Sequence, residues 1–238
     1  MVRVLVTRPE PGASRTARRL REMGFQPVLL LLTETVALPV ETGRLPDDAI
    51  AVAVTSANAV RHAPKEFIAA LAALPCHAVG KRTAEVARAA GFLAVNEGPG
   101  NAEALADMIA DGLSGKAVIY LCGRVRFPTF EERLKAARVR VHPVETYDTV
   151  TPVYSDAVVV GHLSGRPVDV VLLYSAKAAA AMQALARRPA VRYLFEKTRF
   201  FALSQRIAAA LDDAAGERIR VAAEPDEEAL LELLRGWR

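Results

Sequence analysis

The residues best suited to chemistry are few. Tyr147 stands in an extended, β-branched and charged stretch, Glu145-Thr146-Tyr147-Asp148-Thr149. A phenol there can donate a hydrogen bond or a proton. A second set recurs along the chain. Apolar runs end in a small polar or basic pair and pass directly into helical sequence: Thr7-Arg8, Thr55-Ser56, Gly80-Lys81, Gly123-Arg124, Tyr174-Ser175 and Ser204-Gln205. In open parallel sheets, ligands bind at the carboxyl ends of the strands. Helix N-termini at those ends offer free N–H groups and the positive end of a dipole. Ser56, Thr83 and Ser175, with Arg8, Lys81, Arg124 and Arg126, therefore make up a set suited to a polycarboxylate. Each has a plainer reading as well. The hydroxyls serve equally as helix N-caps or first-turn residues, the cations as solvated surface charge, and Tyr147 as a packed linker aromatic.

Other chemistries find no residues. There is no G-x-G-x-x-G and no G-x-S-x-G nucleophile elbow. Gly80-Lys81-Arg82-Thr83 matches only half of a P-loop, because Pro75 takes the first glycine position and Arg82 follows the lysine. The histidines, at 62, 77, 142 and 162, and the cysteines, at 76 and 122, lack metal-ligand spacing.

The elements that must position these residues follow one beat. Apolar β-branched runs at 2–7, 26–33, 50–55, 76–79, 93–96, 117–121, 138–145, 168–174, 199–203 and 218–223 read as strands. Helical runs at 14–23, 57–74, 82–90 and 102–113 lie between them. Near-continuous apolar strands separated by helices predict parallel sheets covered on both faces. The chain also resembles itself. Residues 4–32 match 118–144, 53–59 (AVTSANA) match 172–178 (LLYSAKA), 77–84 match 201–208, and 95–105 match 221–230, in the same order. This is the pattern of an internal duplication. Two extended stretches without a helical partner, ETVALP at 34–39 and ETYDTVTP at 145–152, follow equivalent strands and read as paired linkers between two lobes.

Composition sets the frame. Of 238 residues, 52% are hydrophobic and 24% charged, which is globular composition. A net charge of +4 suits an acidic small molecule, and 6% aromatics is too few for a base-stacking surface, so no nucleic acid partner is expected. The longest wholly apolar run, 27–32, is far below the roughly 20 residues that span a bilayer, so no membrane partner is expected either. Two distant cysteines, and an opening interrupted by Thr7, Arg8 and Glu10, point to the cytoplasm.

Taken together, VLVTRPEPGASRTARRLREMGFQPVLL from residue 4, VTSANAV at 54–60, AVGKRTAEVARAAGF at 78–92, GNAEAL at 100–105 and ETYDT at 145–149 resemble the uroporphyrinogen-III synthase family. The resemblance covers nearly the whole chain, and its specificity lies in order, spacing and length. It implies an α/β fold of two doubly wound parallel-sheet lobes joined by a two-stranded linker. One lobe would comprise residues 1–33 plus 153–238 and the other 39–144, with 34–38 and 145–152 as the linkers. The implied activity is that of a cyclising lyase: hydroxymethylbilane closes with inversion of ring D and loss of water. The path runs through an azafulvene cation and a spiro intermediate to uroporphyrinogen III. The resemblance implies no metal and no organic cofactor, substrate and product as the partners, and a monomer.

Carried over by motif, Tyr147 is the tyrosine that assists departure of the hydroxyl. Ser56 lies in TS-x-x-AV, Ser175 is its counterpart in the second half, and Thr83 lies in VG-x-x-TA. These, with Arg8, Arg124 and Lys81, would hold acetate and propionate groups. One departure stands out: Ser204-Gln205-Arg206-Ile207-Ala208 replaces a second G-x-x-TA, and Ile207 has no hydroxyl to offer. The rival readings are a two-lobed polycarboxylate binding or sensing protein without catalysis, and a nucleotide-dependent enzyme, which the missing glycine fingerprint disfavours.

Overall fold

The computed structural model of the chain describes residues 1–41, 46–211 and 213–236. In chain order, β1 (Arg3–Val6) leads through α1 (Gly12–Glu22) to β2 (Gln26–Leu29) and β3 (Glu34–Ala37). Then come β4 (Ala49–Val54), α2 (Ala57–Arg61), α3 (Lys65–Leu71), β5 (Cys76–Ala78), α4 (Lys81–Ala90), β6 (Val95–Glu97) and α5 (Ala102–Leu113). β7 (Ala117–Gly123), α6 (Thr129–Ala136) and the long β8 (Arg140–Val150) follow. The chain continues with α7 (Asp156–Leu163), β9 (Val170–Leu173), α8 (Ala176–Ala186), β10 (Arg199–Ala202), α9 (Gln205–Ala208), β11 (Ile219–Val221) and α10 (Glu227–Arg235).

By internal contacts the chain divides into two units, Met1–Glu34 with Val150–Arg238, and Thr35–Thr149. The first holds a sheet in the order β11-β10-β9-β1-β2, the second a sheet in the order β3-β8-β7-β4-β5-β6. With β3 set aside, the two orders correspond: β2-β1-β9-β10-β11 in one and β8-β7-β4-β5-β6 in the other. Strand direction is parallel in the pairs around β1, β9 and β10 and around β4, β5 and β7. In each sheet the order reverses beside the first strand of the motif, between β1 and β9 and between β7 and β4. Those two reversals are where an open α/β sheet leaves room for a ligand.

Strand alternation divides each core into two layers. In the first unit Leu5, Val171, Leu173 and Phe200 face α7, α8 and α9, while Val4, Val6, Val170 and Leu172 face α1 and α10. In the second, Tyr120, Cys122 and Val118 face α5 and α6, while Ile119, Leu121 and Val54 face α2, α3 and α4. Both sheets are therefore covered on both faces.

Two differences from the sequence expectation have local causes. The single helix expected over 57–74 is two, α2 and α3, because Pro64 lacks an N–H and disfavours helix at the residue before it. A helix also forms at α7, where a valine-rich run gives no amphipathic signal. Ser155 starts it by accepting from Val158 N at 3.3 Å. Among the described residues, no helix is long and apolar enough to cross a membrane.

Arg3, only 7% exposed, ties the first unit together. Its Nη2 donates to Leu163 O at 2.7 Å, at the carboxyl end of α7, and its Nη1 to Arg166 O at 2.5 Å and Pro167 O at 2.6 Å. Its backbone N–H donates to Asp169 Oδ2 at 2.7 Å. Burial, and then the neighbouring Arg166, lower its pKa from the ordinary arginine value, yet it stays charged and opposes the negative end of the α7 dipole. Replacing it strands buried carbonyls. Arg3→Met should destabilise the protein by about 2–4 kcal/mol in urea unfolding, given that a hydrogen bond from a charged donor is worth about 1.5–3 kcal/mol.

Candidate active site

The second unit builds a site from one irregularity. Along the β7–β8 pair the register is regular from Ala117 opposite Arg140 to Cys122 opposite Glu145, and then shifts so that Gly123 faces Tyr147. Thr146 is the extra residue of this bulge. It is fully buried, and its hydroxyl donates to Ala59 O at 2.7 Å. A bulge bends its strand and re-aims the next side chain. Here it places Tyr147 over Gly123, where an added Cβ would lie 2.7 Å from Tyr147 Cζ and 3.0 Å from its hydroxyl. Arg124 N closes the bulge by donating to Tyr147 O at 2.8 Å. The ring also lies beside His62, with centroids 5.9 Å apart.

Tyr147 and Ser56 line one open pocket of about 750 Å³, together with Thr55, Tyr120, Asn101 and Arg126. It sits at the β7/β4 reversal. Ser56 is the N-cap of α2 and accepts from Asn58 N at 3.2 Å. Asn101 caps α5 in the same way, accepting from Ala104 N at 2.8 Å. Tyr120 and Thr55 share a hydroxyl–hydroxyl bond of 2.7 Å. Burial pushes the Tyr120 phenol up to about 12, so it remains protonated at neutral pH. Tyr120 reads as plain core in sequence, inside an unbroken apolar strand, and nothing there signals its hydroxyl partner.

Arg126 anchors the loop between β7 and α6. It donates to Glu131 at 2.6 Å, to Glu145 at 3.0 Å and to Gly123 O at 3.1 Å. Arg124 is instead more exposed and pairs with Glu145 at 3.2 Å and Asp148 at 3.7 Å. It lines a separate cavity of about 350 Å³ with His142 and Pro143. Lys81 is exposed at the first turn of α4, and Thr83 is buried at 6% exposure in the same turn. Neither lines the larger pocket.

The first unit treats its own reversal differently. Arg8 lies 4.3 Å above the Tyr174 ring and 3.2 Å from Glu227, and an added Cβ on Gly12 would stand 2.5 Å from its Nε. Thr16 also donates to Glu227. Burial pushes Tyr174 up to about 12. The carboxylate expected to meet Arg8 is thus already supplied by the chain, from Glu227 at the start of α10. Ser175 caps α8, accepting from Ala178 N at 3.1 Å. Ile207, in place of a threonine, is buried in the core at 3% exposure.

The sequence profile of the family described as uroporphyrinogen-III synthase HemD matches residues 14–232. The chain belongs to that family. No curated protein sequence matches it at a comparable level. Among solved structures, uroporphyrinogen-III synthetase from Helicobacter pylori is similar at 18% identity, with 100% of both chains covered and a TM-score of 0.66. A mutant uroporphyrinogen III synthase from Thermus thermophilus is similar at 18% identity, covering 100% of this chain and 97% of that one, with a TM-score of 0.54. At such identities the structural likeness speaks for the fold, and membership of the synthase family rests on the profile.

Two predictions follow from the geometry around Tyr147. Gly123→Ala should swing the ring away from its seat. The His62–Tyr147 ring contacts should disappear from NOE spectra, at a stability cost of about 1 kcal/mol, the low end for overpacking, because the ring's far end can move. The Arg126 and then the Arg124 hydrogen bonds hold Glu145 below the usual carboxylate range. Its contribution to stability is therefore present above the unfolded value, about 4.3, and is lost as the pH falls through the lower folded value. The gap in urea midpoint between the parent and Glu145→Gln should be full at pH 7 and shrink steadily below about pH 4.

Proposed function

We propose that this member of the synthase family closes hydroxymethylbilane to uroporphyrinogen III, inverting ring D and releasing water. The observation that carries the reading is the bulge-seated Tyr147, which lines one pocket with the cap hydroxyl of Ser56 in a chain of this family. The first step breaks the bond between the terminal carbon and its hydroxyl, with both electrons leaving on oxygen. Tyr147 donates to that oxygen, which departs as water, and the pyrrole nitrogen takes up the positive charge left behind. Ring D attacks the methylene carbon through its substituted α-carbon to form the spiro species; the bond from that carbon to the methylene of ring C then breaks, leaving the positive charge on ring C, and the free α-carbon of ring D bonds to that methylene and loses its proton to regain aromaticity. That proton balances the one spent on water.

Substrate carboxylates need donors, and a capping hydroxyl can still be one. Ser56 and Ser175 each accept a backbone N–H through a lone pair, and the O–H hydrogen remains to be given. Lys81 and Arg124 add positive charge near strand ends, and the first turn of α4 at Thr83 adds backbone donors. Arg8 contributes as a half of an ion pair whose partner, Glu227, a substrate carboxylate must displace or share. The chemistry needs positioning more than strong acid or base, since holding a flexible chain in a near-attack fold is itself worth orders of magnitude. It calls for no second macromolecule, so a monomer suffices.

Freshly prepared hydroxymethylbilane tests the reading. The protein should yield the type III isomer, whereas a binding protein without catalysis would leave spontaneous closure to type I. Tyr147→Phe should keep the fold and the type III product while slowing turnover at least about tenfold, below the usual general-acid range of about 10²–10⁴-fold because the pyrrole nitrogen itself helps expel the hydroxyl. Rates within about twofold of the parent at saturating substrate would remove Tyr147 from the chemistry.

A further inference from the structure

Glu227 gathers more donors than one ion pair needs. Three groups converge on its Oε1: Arg8 Nη1 at 3.2 Å, the Tyr174 hydroxyl at 3.5 Å, and the hydroxyl of the fully buried Thr16. Arg19 stands 3.8 Å from Oε2. These donors come from separate elements of the first unit. Arg8 lies just after β1, Tyr174 just after β9, and Thr16 and Arg19 on α1. Strands β1 and β9 flank the reversal, and an open α/β sheet takes its ligand there, at the carboxyl ends of its strands. A guanidinium and two hydroxyls aimed at one oxygen make a site that recognises a carboxylate.

Helix α10 has other means of docking. Leu230, Leu231 and Leu234 bury its apolar face, and Asp226 caps it by accepting from Ala229 N at 2.8 Å. Water still reaches the side chains of Arg8 and Glu227, which are 21% and 25% exposed, and ion pairs of that kind add little to stability. The second unit has the same arrangement without the acid. There Asn101 caps α5 through the corresponding bond from Ala104 N, also 2.8 Å, and the residue after the cap is Ala102. Ala102 lines the open Tyr147 pocket. In α10 the residue after the cap is Glu227, whose carboxylate extends to Arg8 and Tyr174.

We propose that Glu227 is an internal competitor: its carboxylate occupies a substrate-carboxylate site formed by Arg8, Thr16 and Tyr174, and an acetate or propionate group of the tetrapyrrole takes its place on binding. The inference rests on the functional reading above and deepens it. One carboxylate exchanges for another, so the buried Thr16 hydroxyl and the Arg8 charge keep a partner in both states. The apparent affinity is the intrinsic affinity scaled by the fraction of molecules whose site is vacant. Glu227 therefore weakens tetrapyrrole binding and leaves the bond-breaking step alone.

Equilibrium binding of uroporphyrinogen III under nitrogen, beside steady-state rates with hydroxymethylbilane, tests the exchange. Glu227→Ala should bind the product about 3- to 10-fold more tightly than the parent, as when a weak competitor is removed, and KM should fall by a similar factor with kcat within about twofold. Glu227→Gln keeps an acceptor without the charge and should show a smaller gain in the same direction; it decides the matter if Glu227→Ala does not fold. Glu232→Gln removes the same charge from an exposed position on the same helix and should change affinity by less than about twofold, which separates exchange from general attraction of a polyanion. With Arg8→Gln also present, Glu227→Ala should bring no gain. A parent that makes the type III isomer, with folded Glu227 variants that bind no more tightly than it does, overturns the competitor assignment alone and leaves Glu227 a tether for α10. An equal gain from Glu232→Gln, or a full gain in the Arg8→Gln background, overturns it as well. A parent that leaves only the type I isomer overturns the functional reading, and this assignment with it.

Discussion

The hydroxyl of Thr146 sits in the protein interior and reaches the Ala59 carbonyl in α2 at 2.7 Å. A buried hydroxyl without a partner is costly, so this bond fixes which residue of β8 bulges. Everything at the β7/β4 reversal depends on that choice. With Thr146 turned inward, Glu145 stays on the side of Arg126 and Tyr147 comes down over Gly123. Without the bulge, Glu145 and Tyr147 would share a face, as residues two apart on a regular strand do. One extra residue thus separates the carboxylate that orders a loop from the phenol that meets the pocket.

The two units use one strand order and line the reversal with different side chains. In the second, Thr55, Ser56, Tyr120 and Asn101 leave a pocket, their polar atoms paired with one another or with helix starts. In the first, Arg8 folds back into the space left by Gly12 and is met by Glu227 and the Tyr174 ring. The difference lies in the side chains, since the strand orders correspond. A glycine makes room in each case: Gly123 admits the Tyr147 ring, and Gly12 admits the Arg8 guanidinium.

The parallel sheets were legible because fully buried strands need apolar residues on both faces, and runs such as Val4-Leu5-Val6 and Val170-Val171-Leu172-Leu173 can do little else. Helix α7 was not, because Val158-Val159-Val160 carries a strand-like local preference that capping and packing override. At the site, the cap positions of Ser56 and Ser175 could be read locally, since a cap concerns its own helix. The pairing of Arg8 with Glu227 could not, because the two lie 219 positions apart and only the completed sheet joins them. The bulge was hidden for a related reason: register belongs to a pair of strands, and Thr146 looks like any β-branched residue until Gly123 lies opposite its neighbour.

Arg3 and β1 carry a consequence for the order in which the molecule can be made. β1 sits in the interior of its sheet, between β2, which follows at once, and β9, which begins at Val170. Every carbonyl that Arg3 binds lies between residues 163 and 167. During synthesis from the N-terminus, all strands of the second sheet have been made by Val150, while β1 still has an open edge and Arg3 has no partner. β1 is made before every other strand of the two sheets, yet it is among the last to reach its final contacts. For that interval the βαβ unit of β1, α1 and β2 exposes an unpaired apolar edge, which is the kind of surface that chaperones cover.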